Sequence, residues 1–354
     1  MTAEAASPTV PALAPAPSTR RLIGASFDLL SRSSEEMRRA SFLIGAVVVG
    51  TGGAYGLAFW WLEVASVHSP VDVTQSALTG ALGAWMALLG FVGIVGIVVA
   101  AVESRAMAAA ILGGQLTGSP VSVRSALARS RATFWRVVIA SIIVAIPVGL
   151  AQGAVIVVLA SAAPDATELS TALTAMAAAL VGAPLAYLLT GVVLGDVDAF
   201  EATRRSFRVF RARRPAAVLV ALFESVAQLL ILLGVSAGLD IALRVLDALG
   251  LGVHSGIVGV ALVSLTIVAG AFALGTLLFT VIAISIAPQV VMFVGLTHTT
   301  RGLDHVRPGG DRDPDVRHAG QRSFRRFPWP MRIAFFVSLL GLAGALISIH
   351  ALPG

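Results

Sequence analysis

The sequence predicts an all-α, polytopic transmembrane helical bundle of about seven spans. Three observations carry that expectation: seven apolar runs of membrane-crossing length, arginines concentrated in alternate connections, and an internal repeat. Of 354 residues, 57% are hydrophobic and 12% charged. That is more apolar surface than a soluble domain of this size can bury, so lipid is the natural solvent. All 25 basic residues are arginine, and they stand in blocks between apolar runs. Such placement fits membrane orientation better than nucleic-acid binding, and no nucleic-acid partner is expected. With no cysteine, disulfides, thiolate nucleophiles and cysteine-held metal centres are excluded.

Residues 1–20, MTAEAASPTVPALAPAPSTR, carry prolines at 7, 11, 15 and 17, which no helix can run through, and read as a disordered tail. They do not read as a signal peptide, because the first long apolar run begins only at Phe42. A hydrocarbon core about 30 Å thick needs about 20 residues at 1.5 Å rise. Runs that meet this lie at 42–62, 77–102, 137–162, 171–195, 216–238, 257–297 and 332–351. The sixth has about twice the length needed, so it is either one kinked helix or a hairpin.

The arginines decide between them. Five precede the first run, five lie between the second and third, six between the fourth and fifth, and eight over 301–332. The alternate connections hold Arg244 alone, with Glu63, Asp72, Asp165, Glu168, Asp240 and Asp247. This asymmetry places the N-terminus in the cytoplasm and the C-terminus outside a cell membrane. A hairpin in the sixth run would put the basic loop at 305–331 outside, so one span kinked near Pro288 is expected. Residues 239–249 read as a short helix on the outer surface, with Asp240, Arg244 and Asp247 on one face.

Residues 122–159 overlay 198–235 at a constant offset. Each copy is a basic amphipathic helix leading into a span, with repeat units at about 119–162 and 198–239. Arg129 aligns with Arg205, Ser130 with Ser206, Phe134 with Phe210, Ala151 with Ala227 and Gln152 with Gln228. A fainter third copy is ASFDLLSRS at 25–33. Ser119 with Pro120, and Asp198 with Glu201, are the expected helix starts. On the second copy, Phe200, Phe207 and Phe210 are expected at the acyl boundary, with Arg204, Arg208 and Arg211 facing lipid phosphates. Arg204, Arg205, Arg208, Arg211 and Arg129 are thus the candidate surface for anionic headgroups or a protein partner.

The repeated Ser-Phe-Arg-x-Phe-Arg helix entering a Gly/Ala-rich span resembles the six-helix membrane domain attached to some glycerophosphodiester phosphodiesterases, and its stand-alone relatives. The ending PQVVMFVGLTHTTRGLD looks like that domain's final helix. The resemblance covers about 21–304 and implies a six-span fold. It departs in the seventh span, at 332–354, and no segment could form the catalytic α/β barrel, so it implies no activity.

Glu224 is expected to lie deep in the fifth span, where an ionisable group costs about 2.5 to 3.5 kcal/mol on insertion scales. Gln228 is one turn on, and the repeat puts Gln152 at matching depth, while Glu224 itself aligns with Val148. Hydrogen bonding between helices is the simpler reading of Glu224; a proton-coupled or cation-binding site with Gln228 and Gln152 is the rival. The pairs Gly52/Gly56, Gly149/Gly153 and Gly191/Gly195 have the spacing of close helix contacts. Pro147, Pro184 and Pro288 read as packing kinks before broken-helix sites. The six histidines are scattered. Asp311, Asp313 and Asp315 begin like a calcium loop, but Val316 and Arg322 stand where glycine and an acid are required. No metal, cofactor or catalytic motif is expected. The leading functional expectation is a non-enzymatic organising or accessory protein of the cytoplasmic membrane. The rival is a small-solute or ion transporter with Glu224 as coupling residue.

Overall fold

A computed structural model describes residues 18–60, 76–162, 167–250, 257–301 and 306–309. Residues 1–17, most of the basic loop, the Asp311–Asp315 segment, every histidine but His298, and the expected seventh span lie outside the described residues.

All regular structure among the described residues is helical. Helix α1 is Thr19–Arg32; α2 starts as Ser34–Val48, passes through a π turn at Val49–Gly53, and reaches Trp60. Then come α3 (Ser76–Leu116), α4 (Val123–Ala162), α5 (Thr167–Gly182) and α6 (Leu188–Gly195). The chain continues with α7 (Ala199–Ala212), α8 (Arg214–Ala248) and α9 (Ile257–Arg301). Among the described residues, six helical stretches are long and apolar enough to cross a membrane: Ser34–Trp60, Gly90–Leu116, Val123–Ser161, Ser170–Gly195, Arg214–Ala248 and Val258–Thr297.

Several expected boundaries move, each for a local reason. The second run does not stop at residue 102. Glu103 and Arg105 sit inside α3, because the segment from Ala106 to Leu112 after them is apolar and wholly buried. The first repeat helix starts at Val123 rather than at Pro120, with the Ser122 hydroxyl accepting the Ser125 N–H. Asp198 does cap α7, accepting the Glu201 N–H at 2.7 Å. The separate surface helix at 239–249 is absent, since α8 runs unbroken to Ala248, and the Arg244–Asp240 pair is an ordinary one-turn ion pair. The sixth run is one continuous helix with Pro288 inside it, not a hairpin.

The chain divides into two compact units. One takes the described residues within 1–38, 103–229 and 281–322, and the other those within 39–102 and 230–280. In the first unit, three entry segments share a design. Leu22 and Ser26 on α1, Ala126 and Ser130 on α4, and Ala202 and Ser206 on α7 stand one turn apart and are all buried. After the buried serine, α1 and α7 break at the same distance, at Ser33 and Arg213, whereas α4 continues through the matching Val137.

The three serines make different bonds. Ser26 bonds back to the Leu22 carbonyl of its own helix. Ser130 reaches the Glu103 carbonyl on α3 at 3.5 Å. Ser206 donates to the Pro184 carbonyl at 2.7 Å and accepts the Tyr187 N–H at 3.2 Å. Pro184 lies in the 3-10 turn Ala183–Leu185 that separates α5 from α6, so Ser206 supplies hydrogen bonds that the broken helix has lost. Pro147 and Pro288, by contrast, leave their helices continuous.

In the second unit, a Cβ on Gly56 of the expected Gly52/Gly56 pair would stand 3.1 Å from Ile267, but the tightest approaches occur at other glycines. A Cβ on Gly275 would stand 2.7 Å from the Gly45 Cα, and one on Gly96 2.5 Å from the Thr51 Cβ. Gly149 and Gly153, in the first unit, face open space, so their spacing does not mark a helix contact.

Candidate functional site

Helix α4 carries two stripes. Ile139, Ile142, Ile146 and Leu150 are exposed and apolar, the surface that lipid would wet. Ser141, Ala145, Val148, Gly149 and Gln152 form the other stripe and line a cavity of about 260 Å³ in the first unit. Helix α8 is built alike: Leu222, Val226, Leu230 and Leu233 are exposed, while Ala221, Glu224, Ser225 and Gln228 line the same cavity. At the repeat offset, Ala145 matches Ala221, Val148 matches Glu224, Gly149 matches Ser225 and Gln152 matches Gln228. Equivalent positions of the two repeats therefore face one cavity. The helix break at Pro184 adds a third wall through Gly182, Leu185, Ala186 and Leu189.

The structure thus places Glu224, Gln228 and Gln152 on one cavity. It adds three residues that the sequence did not single out: Gln289 from α9, Arg105 from α3 and Ser141 from α4. Gln289 donates from Nε2 to Glu224 Oε2 at 3.0 Å, and Gln228 from its Nε2 to Glu224 Oε1 at a long 3.4 Å. Gln289 is 1% exposed, yet its Oε1 has no hydrogen-bond partner among the described residues, and neither has Ser141 Oγ. Arg105 makes no hydrogen bond or ion pair among the described residues. Unpartnered buried polar atoms are uncommon in folded proteins, and two of those among the described residues line this one cavity.

The arginine surface differs from the expected one. Arg129 is buried, donating from Nε and Nη2 to the Val193 carbonyl at 3.0 and 2.7 Å, so it faces neither lipid nor partner. It caps the C-terminal end of α6, where carbonyls lack helical donors. The Arg307 N–H caps the next carbonyl, that of Leu194, at 2.7 Å. Asp196 ends this helix in a left-handed conformation, φ 48°, and pairs with Arg129 at 3.3 Å, Arg136 at 3.0 Å and Arg307 at 3.9 Å. Burial alone would raise the Asp196 pKa, but the three guanidiniums outweigh it and hold the carboxyl below its ordinary range.

On α7, Arg205 and Arg208 bond the Glu201 carboxylate, at 3.0 and 3.3 Å. The hydrogen bond from Arg205 leads in keeping the Glu201 pKa below its ordinary value. Arg204, Arg208 and Arg211 are exposed beside Phe200 and Phe207, whereas Phe210 turns inward onto Ala179, Ala183 and Ala221. Glu103, inside α3, is 1% exposed and pairs with Arg131 at 3.7 Å, so Glu224 is not the sole acid within an apolar span. No group of three His, Asp or Glu residues close enough to hold a metal ion occurs among the described residues. Compared with family models, curated proteins and solved structures, the chain matches none.

Proposed function

We propose that the chain is a multi-pass, non-enzymatic protein of the cell membrane, N-terminus cytoplasmic, whose repeat spans hold a small polar solute in an intramembrane cavity and carry it across. One observation carries the reading: equivalent positions of two repeated spans, with Glu224 on one of them, line a single cavity that mixes polar and apolar groups. Secondary transporters often place substrate sites near mid-membrane, at repeat interfaces and beside discontinuous helices, which is the arrangement that Pro184 and the two stripes support. The arginine asymmetry supports the orientation. Kinship with the membrane domain of glycerophosphodiester phosphodiesterases, and a seventh span, belong to the same proposal.

The test is uptake. Sealed proteoliposomes would be incubated in a mixture of amino acids, short organic acids and polyamines, and the lumen read by mass spectrometry. Enrichment of a solute over protein-free vesicles, lost in Glu224→Ala, supports the reading. No enrichment in the native protein contradicts it.

A second reading, an organising role at the membrane surface, is favoured by the outward face of α7. Phe200 is 71% exposed beside Arg204 and Arg211, a face suited to anionic headgroups or an acidic protein partner. Removing the charges of Arg204, Arg208 and Arg211 would then strip co-purifying anionic lipid or partner and leave solute uptake intact.

A further inference from the structure

We infer that the cavity takes a small zwitterion, a solute with an ammonium group at one end and a carboxylate at the other. This rests on the solute-binding reading above and deepens it.

Arg105 and Glu224 line the same cavity and form no ion pair with one another. Opposite charges lining one cavity beside apolar helices would ordinarily close on each other. Here they do not pair, and the polar groups around each are unlike.

At the Glu224 end, acceptors are in excess. Gln289 donates an amide hydrogen to Glu224 Oε2 while its own buried Oε1 has no donor among the described residues, and among them the one donor to Glu224 Oε1 is the distant Gln228 amide. Those oxygens require N–H groups, which an ammonium supplies in threes. At the Arg105 end, donors are in excess: a guanidinium with five N–H groups and no acceptor among the described residues. A carboxylate fits that fork in bidentate fashion. Ser141 Oγ, which can donate or accept, lines the same cavity.

A simple cation would satisfy Glu224 and meet Arg105 as a like charge; a simple anion would do the reverse. A zwitterion satisfies both. The volume of about 260 Å³ equals that of roughly eight waters, which suits an amino acid of modest size.

The experiment is equilibrium dialysis of the full chain in detergent against four radiolabelled probes: glycine and γ-aminobutyrate as zwitterions, propylammonium as cation, propionate as anion. Binding of at least one zwitterion, tighter than either single-charge probe, is expected. Glu224→Gln and Arg105→Gln, each checked for a native elution profile, should weaken it by roughly ten- to a hundredfold, the range of a hydrogen bond to a charged group. The selectivity should also move in opposite directions, Arg105→Gln gaining on propylammonium and Glu224→Gln on propionate, a change no merely structural role would cause. If the native protein binds propylammonium or propionate alone, the zwitterion inference is overturned while solute binding stands. If it binds none of the four, both are overturned.

Discussion

Gln289 reaches from α9 to Glu224 on α8 and donates at 3.0 Å, and this single bond determines which polar atoms on the cavity remain open. It occupies Glu224 Oε2, while Gln289 Oε1 has no partner among the described residues. Gln289→Leu removes the donor and is expected to cost about 1 to 3 kcal/mol, because Glu224 loses its best partner. Glu224→Gln keeps an acceptor for Gln289 and is expected to cost less. Melting of both variants in detergent checks the order; equal melting points would mean the bond adds nothing to the fold.

Ser206 holds the break at Pro184 from outside the broken helix. Ser206→Ala deprives both the Pro184 carbonyl and the Tyr187 N–H of a partner, at an expected cost of about 1 to 3 kcal/mol. Ser26→Ala, at the matching position of α1, removes only a bond within its own helix and is expected to cost under about 1 kcal/mol. Thermal unfolding in detergent compares the two, and an equal loss would show that Ser206 has no special part in the break.

The Asp196 cluster gives stability a pH dependence of known sign. Its native pKa lies below the ordinary carboxylate value, so its contribution is fully present above about pH 4 and is lost as the pH falls through the depressed native value. Asn tolerates a left-handed backbone, so Asp196→Asn removes the charge while preserving φ 48°. The variant should melt below the native protein at pH 7 and converge with it as the pH falls below the ordinary carboxylate range. A gap independent of pH would contradict this assignment.

Glycine substitutions separate true helix contacts from spacing. Gly275→Ala drives a methyl to within 2.7 Å of the Gly45 backbone and is expected to destabilise by about 1 to 3 kcal/mol. Gly153→Ala meets nothing within 4 Å and is expected to be neutral, or to stabilise by up to about 1 kcal/mol through helix propensity. Circular dichroism melts of the two read the difference directly.

Much of this was legible in the sequence, because membrane crossing is set by apolar length and the repeat by direct alignment. Gln152 and Gln228 could be paired across the chain, and Glu224 stood out by its depth. Arg105 could not be found that way: a charge after an apolar run looks like the end of a span, and only the burial of the residues after it shows that α3 continues. Nor could the sequence tell which proline breaks its helix. Pro147, Pro184 and Pro288 look alike in an apolar stretch, and at Pro184 the broken helix meets Ser206 from a segment 22 residues on. Arg129 looked like its repeat partner Arg205, yet it is buried because the end of α6 offers it the Val193 carbonyl.

Whether water-borne solutes enter the cavity within the membrane can be read by thiol labelling, because the chain has no cysteine of its own. Gln152→Cys and Val157→Cys each introduce a single thiol on α4, the first on the cavity stripe and the second on the exposed apolar stripe, where Val157 is 69% exposed. In membrane vesicles treated with a small charged methanethiosulfonate, the Gln152→Cys protein should be modified and the Val157→Cys protein should resist, since lipid excludes the reagent. If the Gln152→Cys thiol is as inert as the Val157→Cys thiol, the cavity is closed to aqueous solutes and the account fails.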